Sequence, residues 1–333
     1  MDIIDIVEEY LCKDVMPSSN GLFHGKAGLA VYFAIMSQFD DKYKCIYRKV
    51  INDVVETSSS IKDMSLGSGL LGIGVSMLFI SSYIEKKESE YLLNELDECL
   101  IKKMNSIQKL SNSSEELNYH YFEILFYMTL RIKYSIKSHN KRMYLEQLIK
   151  KSLETLYPVA MQVQHVEILP FNIINSFSLF MHSLINLYSL GIYKNRIKHL
   201  LVEIAYSLRI PTLHINRLSV LYIIVRALRT IEELPYEWTD YKTILKQHTS
   251  IDVIIRDEMS NNQLDFIHGV SGAFLLAKLI NEEEGNLLFD VNKQKYNRIV
   301  QNASLVKNKN KSFIMQHCCL NGFCGMRILY DKL

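Results

Sequence analysis

GLFHGKAGLAVYF, residues Gly21 to Phe33, sets the pattern for the chain: a glycine pair three residues apart, Gly25 and Gly28, opening an apolar run of about three helical turns. Three further segments repeat it. They are GSGLLGIGVSMLF (Gly67 to Phe79), FIHGVSGAFLLAKL (Phe266 to Leu279) and CLNGFCGMRILY (Cys319 to Tyr330). Eleven of the 13 glycines fall in these four segments, so glycine marks helix starts and is not scattered through loops. Two glycines three apart share one face of a helix and let another backbone come close. On this reading they also leave the first helical amides open toward whatever lies beyond the amino end.

The gap between Gly69 and Gly269 predicts eroded copies. ELNYHYFEILFYMTLRI (Glu116 to Ile132) fits with His120 and Glu123 in the glycine positions, FNIINSFSLFMHSLINLY (Phe171 to Tyr188) with Asn175 and Ser178, and LHINRLSVLYIIVRAL (Leu213 to Leu228) with Asn216 and Ser219. The starts then run 25, 69, 120, 175, 216, 269 and 322, a period of the size that signals repeated supersecondary units. Between them lie charged amphipathic stretches, such as Lys87 to Leu110, His139 to Leu156, Ile192 to Leu208 and Tyr241 to Met259. This alternation predicts an all-α fold. Inner helices are buried nearly all round, outer ones keep a solvated face, and together they form one (α/α) toroid with about seven inner-helix repeats over residues 1–333.

Composition agrees and excludes some classes. Apolar residues are 48% and charged residues 22% of 333, enough for a large core and not a disordered chain. With 5 prolines, little interrupts helices. A net charge of +2 gives no field for holding nucleic acid. Met64 to Ile84 and Ile168 to Tyr193 carry no charged residue, yet their glycines, serines and asparagines suit buried helices, so no membrane span is expected. The acidic start MDIIDIVEEY lacks the basic region of a secretory signal, and six irregularly spaced cysteines do not form a disulfide framework; both point to the cytoplasm.

The motifs G-L-F-H-G-x-A-G, G-S-G-L-L-G-I-G, F-I-H-G-V-S-G and L-N-G-F-C-G-M, spaced in this way, resemble the lanthionine synthetase C-like (LanC) family. The resemblance covers the whole chain. It implies a toroid holding one zinc at the ring's mouth, where cysteine thiols add to dehydrated serine or threonine in ribosomally made peptides. Zinc makes the thiol a thiolate, and an acid–base group protonates the resulting enolate. The family's ligand positions fall here on His214 at the fifth start and on Ile267 and His268 at the sixth, while its catalytic histidine falls on Ile174 and its aspartate on Glu116. The family's arginine has Arg209 as its nearest counterpart, one residue out of register. An isoleucine cannot bind metal, so the resemblance implies a degenerate member lacking the standard zinc cyclase site. Such a chain would bind a precursor peptide or a peptide-modifying enzyme as an accessory. The alternative is an active cyclase with a rewired zinc site drawn from His214, His268 and Cys319.

The residues expected at the central opening are His24, His214, His268, Cys318 and Cys319, with His317 beside them. Their plainer reading is as helix caps and buried thiols. Asp63, Glu116 and Asp265 near helix starts could supply paired carboxylates, as in toroidal glycoside hydrolases, or simply cap helices. A basic strip, Lys293, Lys295, Arg298, Lys307, Lys309, Lys311 and Arg327, suits an acidic partner or an ordinary solvated face.

Overall fold

A computed structural model describes residues 17, 19–58, 60–81, 93–102, 115–134, 139–163, 171–259, 263–303 and 317–333. Among the described residues the chain is helical and has no β-strand beyond one isolated bridge, Ser19 to Gly25. No helix among them is long and apolar enough to cross a membrane. The chain divides into two compact units, Met1–Ser152 with Asn308–Ile328 and Leu153–Lys307 with Leu329–Leu333.

In the first unit α1 (Lys26–Met36), α3 (Leu70–Ile80) and α4 (Glu115–Tyr134) are the apolar helices. α1 packs on α3, and α3 on α4. Nearly every residue of α1 from Ala27 to Met36 is buried, as a helix apolar all round should be. α2 (Lys42–Ser58) packs on α1 and buries a single stripe, Tyr43, Tyr47, Val50, Ile51 and Val54, at the spacing of one helix face. The amphipathic stretch expected over Lys87 to Leu110 is described only at 93–102, where it is helical. α5 (His139–Val163) follows α4 and continues into the second unit.

The second unit alternates in the same way. α6 (Ser176–Ser189), α8 (His214–Thr230) and α11 (Val270–Glu284) are the apolar helices, with α8 packed against both α6 and α11. α7 (Lys194–Ser207), α9 (Tyr236–His248) and α12 (Lys293–Asn302) are amphipathic. Trp238, fully buried on α9, donates its indole N–H to the Leu201 carbonyl of α7 at 3.1 Å, tying two amphipathic helices together. A short helix, α10 (Ile251–Val253), runs into a π turn over Ile254–Glu258. The last helix is α13 (Phe323–Lys332).

Candidate functional site

Three of the loops that open the apolar helices, the first, second and sixth, share one construction. In the first, the amides of Lys26, Ala27 and Gly28 donate to the carbonyls of Ser19, Asn20 and Gly21, each seven residues back. The second repeats this with Leu70 to Asp63 and Gly72 to Ser65, and the sixth with Val270 to Gln263. The chain therefore folds back over the helix start and supplies acceptors for the first amides. The expectation that these amides stay open is corrected: the chain's own carbonyls satisfy them.

That loop explains the glycine pairs. A Cβ on Gly28, Gly72 or Gly272 would lie 1.8, 2.2 and 2.2 Å from the carbonyl oxygen six residues upstream, Leu22, Leu66 and Phe266 respectively. A Cβ on Gly25, Gly69 or Gly269 would meet backbone at 2.4 Å. Both glycines are thus required by close backbone approach.

At the fourth and fifth starts, where the glycines are lost, side chains take over the capping. At the fourth start Asn175 Oδ1 accepts from the Ser178 amide at 2.9 Å, an ordinary N-cap between the two residues in the glycine positions. At the fifth, Glu258 from the π turn accepts from the amides of His214 (2.7 Å) and Ile215 (2.9 Å). The third start is corrected: α4 already begins at Glu115, so His120 and Glu123 lie inside the helix. There Glu123, 1% exposed, meets His120 Nδ1 through Oε2 at 3.0 Å and accepts from the Leu66 amide of the second loop through Oε1.

Neighbouring loops are also tied to one another. In the first unit Phe23 and His24 donate to the Gly67 carbonyl, and Asn321 donates to Phe23, which joins the seventh, first and second loops. In the second unit Ile173 donates to the Ile267 carbonyl at 3.0 Å, joining the fourth loop to the sixth.

The expected site residues fall within this framework. His24 is exposed, and its ring lies beside Gly67. His214 opens α8, and its Nδ1 accepts from the Ser250 amide at 3.1 Å, which places its ring proton on Nε2. His268 Nδ1 sits 2.5 Å from the Phe171 carbonyl, so that nitrogen carries the proton. The two imidazoles of the second unit thus serve separate backbone partners. Cys318 and Cys319 are buried, and neither they nor Cys324 is in a disulfide. Burial, and then the neighbouring Cys319, pushes the Cys318 thiol up to about 12. Ile174 and Ile267 are aliphatic side chains whose backbones are bonded within the loops. Arg209 is exposed. Asp63 accepts from the Ser65 amide and hydroxyl, and Asp265 from the His268 amide at 2.6 Å, so both cap their own loops. Glu116 lies in the first turn of α4, with its side chain outside the described residues, as are Lys307, Lys309 and Lys311 of the basic strip. Lys295 of that strip pairs with Asp252 at 2.6 Å, and Lys293 lies over the Tyr330 ring.

Zinc, the metal the resemblance implies, finds no matching donor set. Ile267 offers none, His214 and His268 each engage a backbone group through Nδ1, and among the described residues no three His, Cys, Asp or Glu form a group that could hold a metal ion. No family model matches the chain, and no curated protein or solved structure matches it either.

Sequence reasoning missed Glu258, because its partners His214 and Ile215 stand more than 40 residues away. It also missed the polar cluster His182, Tyr222 and Arg226, whose residues sit singly inside apolar runs.

Proposed function

We propose that this chain is a LanC-like (α/α) toroid that works in ribosomal peptide modification as a binding accessory, without the standard zinc cyclase chemistry. It takes a precursor peptide or a peptide-modifying enzyme at the loops that open its apolar helices. A cytoplasmic setting goes with this role. One observation carries the reading: the glycine-dependent loop is built alike at the first, second and sixth starts, while the sixth start has Ile267 where the resemblance calls for a thiolate ligand. The positions that shape the loops are kept, while one metal-ligand position and the catalytic-histidine position fall on Ile267 and Ile174. Binding of a peptide needs only the shape.

The test combines metal content with peptide capture. The purified chain is expected to carry no stoichiometric zinc, to form no thioether in a dehydrated cysteine-containing peptide, and to retain that peptide on a column. About one tightly held zinc per chain, lost in His268→Ala, together with ring closure would replace this reading with that of an active cyclase using a rewired His/Cys site. Absence of both peptide retention and ring closure would end both readings.

A further inference from the structure

The second unit holds an arginine whose charge no described residue neutralises. α8 carries three arginines in its length. Arg217 is bonded to the carbonyls of Pro211, Thr212 and His248, and Arg229 is paired with Glu283. Arg226 has no carboxylate within ion-pair distance among the described residues. Its Nη1 is hydrogen-bonded to His182 Nδ1 of α6, at 3.3 Å. A guanidinium only donates, so His182 accepts through Nδ1 and adds no charge of its own. The guanidinium carbon lies 5.9 Å from the Tyr222 ring centroid, and the His182 and Tyr222 rings stand 5.6 Å apart.

Solvent reaches this cluster. From Phe177 to Tyr188 of α6, His182 is the one residue that is not buried; Tyr222 and Arg226, one turn apart on α8, are also partly exposed. Three polar groups therefore share a partly accessible spot where α6 and α8 meet. The acids on the adjoining α11 are all engaged. Glu282 pairs with Lys278, Glu283 with Arg229, and Glu284 with Lys242 and Lys246.

We propose that Arg226, held by His182 and flanked by Tyr222, is a binding site for a carboxylate group. The available charge is a single positive one, which matches a carboxylate monoanion better than a phosphate dianion. The planar fork of the guanidinium has donors left after Nη1 bonds His182, and a planar carboxylate can accept two of them side by side. Tyr222 adds a phenol whose proton is held more firmly than usual, chiefly by burial, so it is a donor rather than a competing anion. This inference does not depend on the role proposed above.

The experiment titrates the full chain, at constant ionic strength and neutral pH, while following the His182 ring resonances by NMR. The probes are acetate and the capped peptide acetyl-Gly-Glu-Gly-amide, with acetyl-Gly-Gln-Gly-amide as the uncharged control. Saturable shifts with both carboxylates and none with the glutamine peptide are expected, together with at least about tenfold weaker binding in Arg226→Gln. Tighter binding of the glutamate peptide would make a peptide side chain the source of the carboxylate, and equal binding would make it a free acid. If Arg226→Gln fails to fold, Arg226→Lys keeps the charge but loses the fork, and should bind several-fold more weakly. Shifts that do not saturate, that occur equally with the glutamine peptide, or that persist in a folded Arg226→Gln would overturn the site.

Discussion

Gly28 and Leu22 meet backbone to backbone: a Cβ at position 28 would stand 1.8 Å from the Leu22 carbonyl oxygen. Neither partner is free to withdraw. The Leu22 amide is bonded to Leu66 and the Gly28 amide to Gly21. Gly28→Ala is therefore expected to destabilise the protein by about 3 kcal/mol or more, the range of severe overpacking. Gly191 is the internal control: its φ is +77°, but a Cβ there would meet nothing within 4 Å, so Gly191→Ala should cost only about 1 kcal/mol. Urea midpoints of the two variants compare them directly. If Gly28→Ala were as mild as Gly191→Ala, the close approach could not be the reason for the glycine pairs.

Glu258 does for α8 what backbone carbonyls do for α1, α3 and α11. Removing it in Glu258→Ala leaves the His214 and Ile215 amides without their acceptors. The expected loss is about 1–2 kcal/mol, with Glu258→Gln recovering part of it through its remaining oxygen. Hydrogen exchange at those two amides is the sharper readout. Their protection should fall in Glu258→Ala, while the amides of Trp238 and Leu245 on α9 stay unchanged.

Asp97 sits 2% exposed among cations: Arg131 Nε at 3.0 Å, Lys141 Nζ at 2.8 Å, and the Tyr127 hydroxyl at 3.0 Å as a further donor. Arg131 is itself 1% exposed and cannot reach water when its partner is removed. Asp97→Ala should therefore lose about 3–5 kcal/mol, the usual result of stranding a buried charge. Removing both charges in Asp97→Leu with Arg131→Met should recover much of that loss, because an apolar pair has no ion to desolvate. Thermal unfolding of the single and double variants decides it; a double variant no more stable than Asp97→Ala would mean that the network does more than balance charge.

The alternation of helices is legible in the sequence because burial imprints itself on composition. α1 is apolar all round and α2 has one apolar stripe, and both show at the period of a helix. The glycine pairs also mark helix starts correctly. What they do there is not legible: the amides they are expected to expose are covered by carbonyls seven residues back, a contact that no periodicity reveals. The eroded starts are placed by spacing alone. Asn175 caps Ser178 locally and His214 depends on Glu258, 44 residues on. The third start is misplaced, since α4 already begins at Glu115 and Glu123 accepts from Leu66, 57 residues back, from inside the helix. Arg226 is invisible for a related reason, since a single cation in an apolar run gives no sign of whether a carboxylate waits across the helix interface.

His182 makes stability depend on pH in a direction its neighbours fix. Burial first, and then the Arg226 charge, lower it from its ordinary 6.5 to about 3. Facing it are Arg226 and Tyr222 from α8, and neither favours the imidazolium; Glu282 and Glu283 of α11, whose charges act on Tyr222, are paired with Lys278 and Arg229. Between pH 6.5 and 3 the unfolded chain takes up a proton at this position that the folded chain refuses, so stability falls as pH drops through that window and is unaffected above it. Because solvent still touches the ring, the loss by about pH 4 is expected to be about 1–3 kcal/mol, below the full value of the shift. His182→Gln removes the titrating group but can still accept from Arg226. Urea unfolding of the two proteins from about pH 7 to about pH 4 should give a shallower slope for the variant, with the curves converging or crossing toward low pH. Parallel curves would show that His182 takes its proton as readily in the folded chain as in the unfolded one.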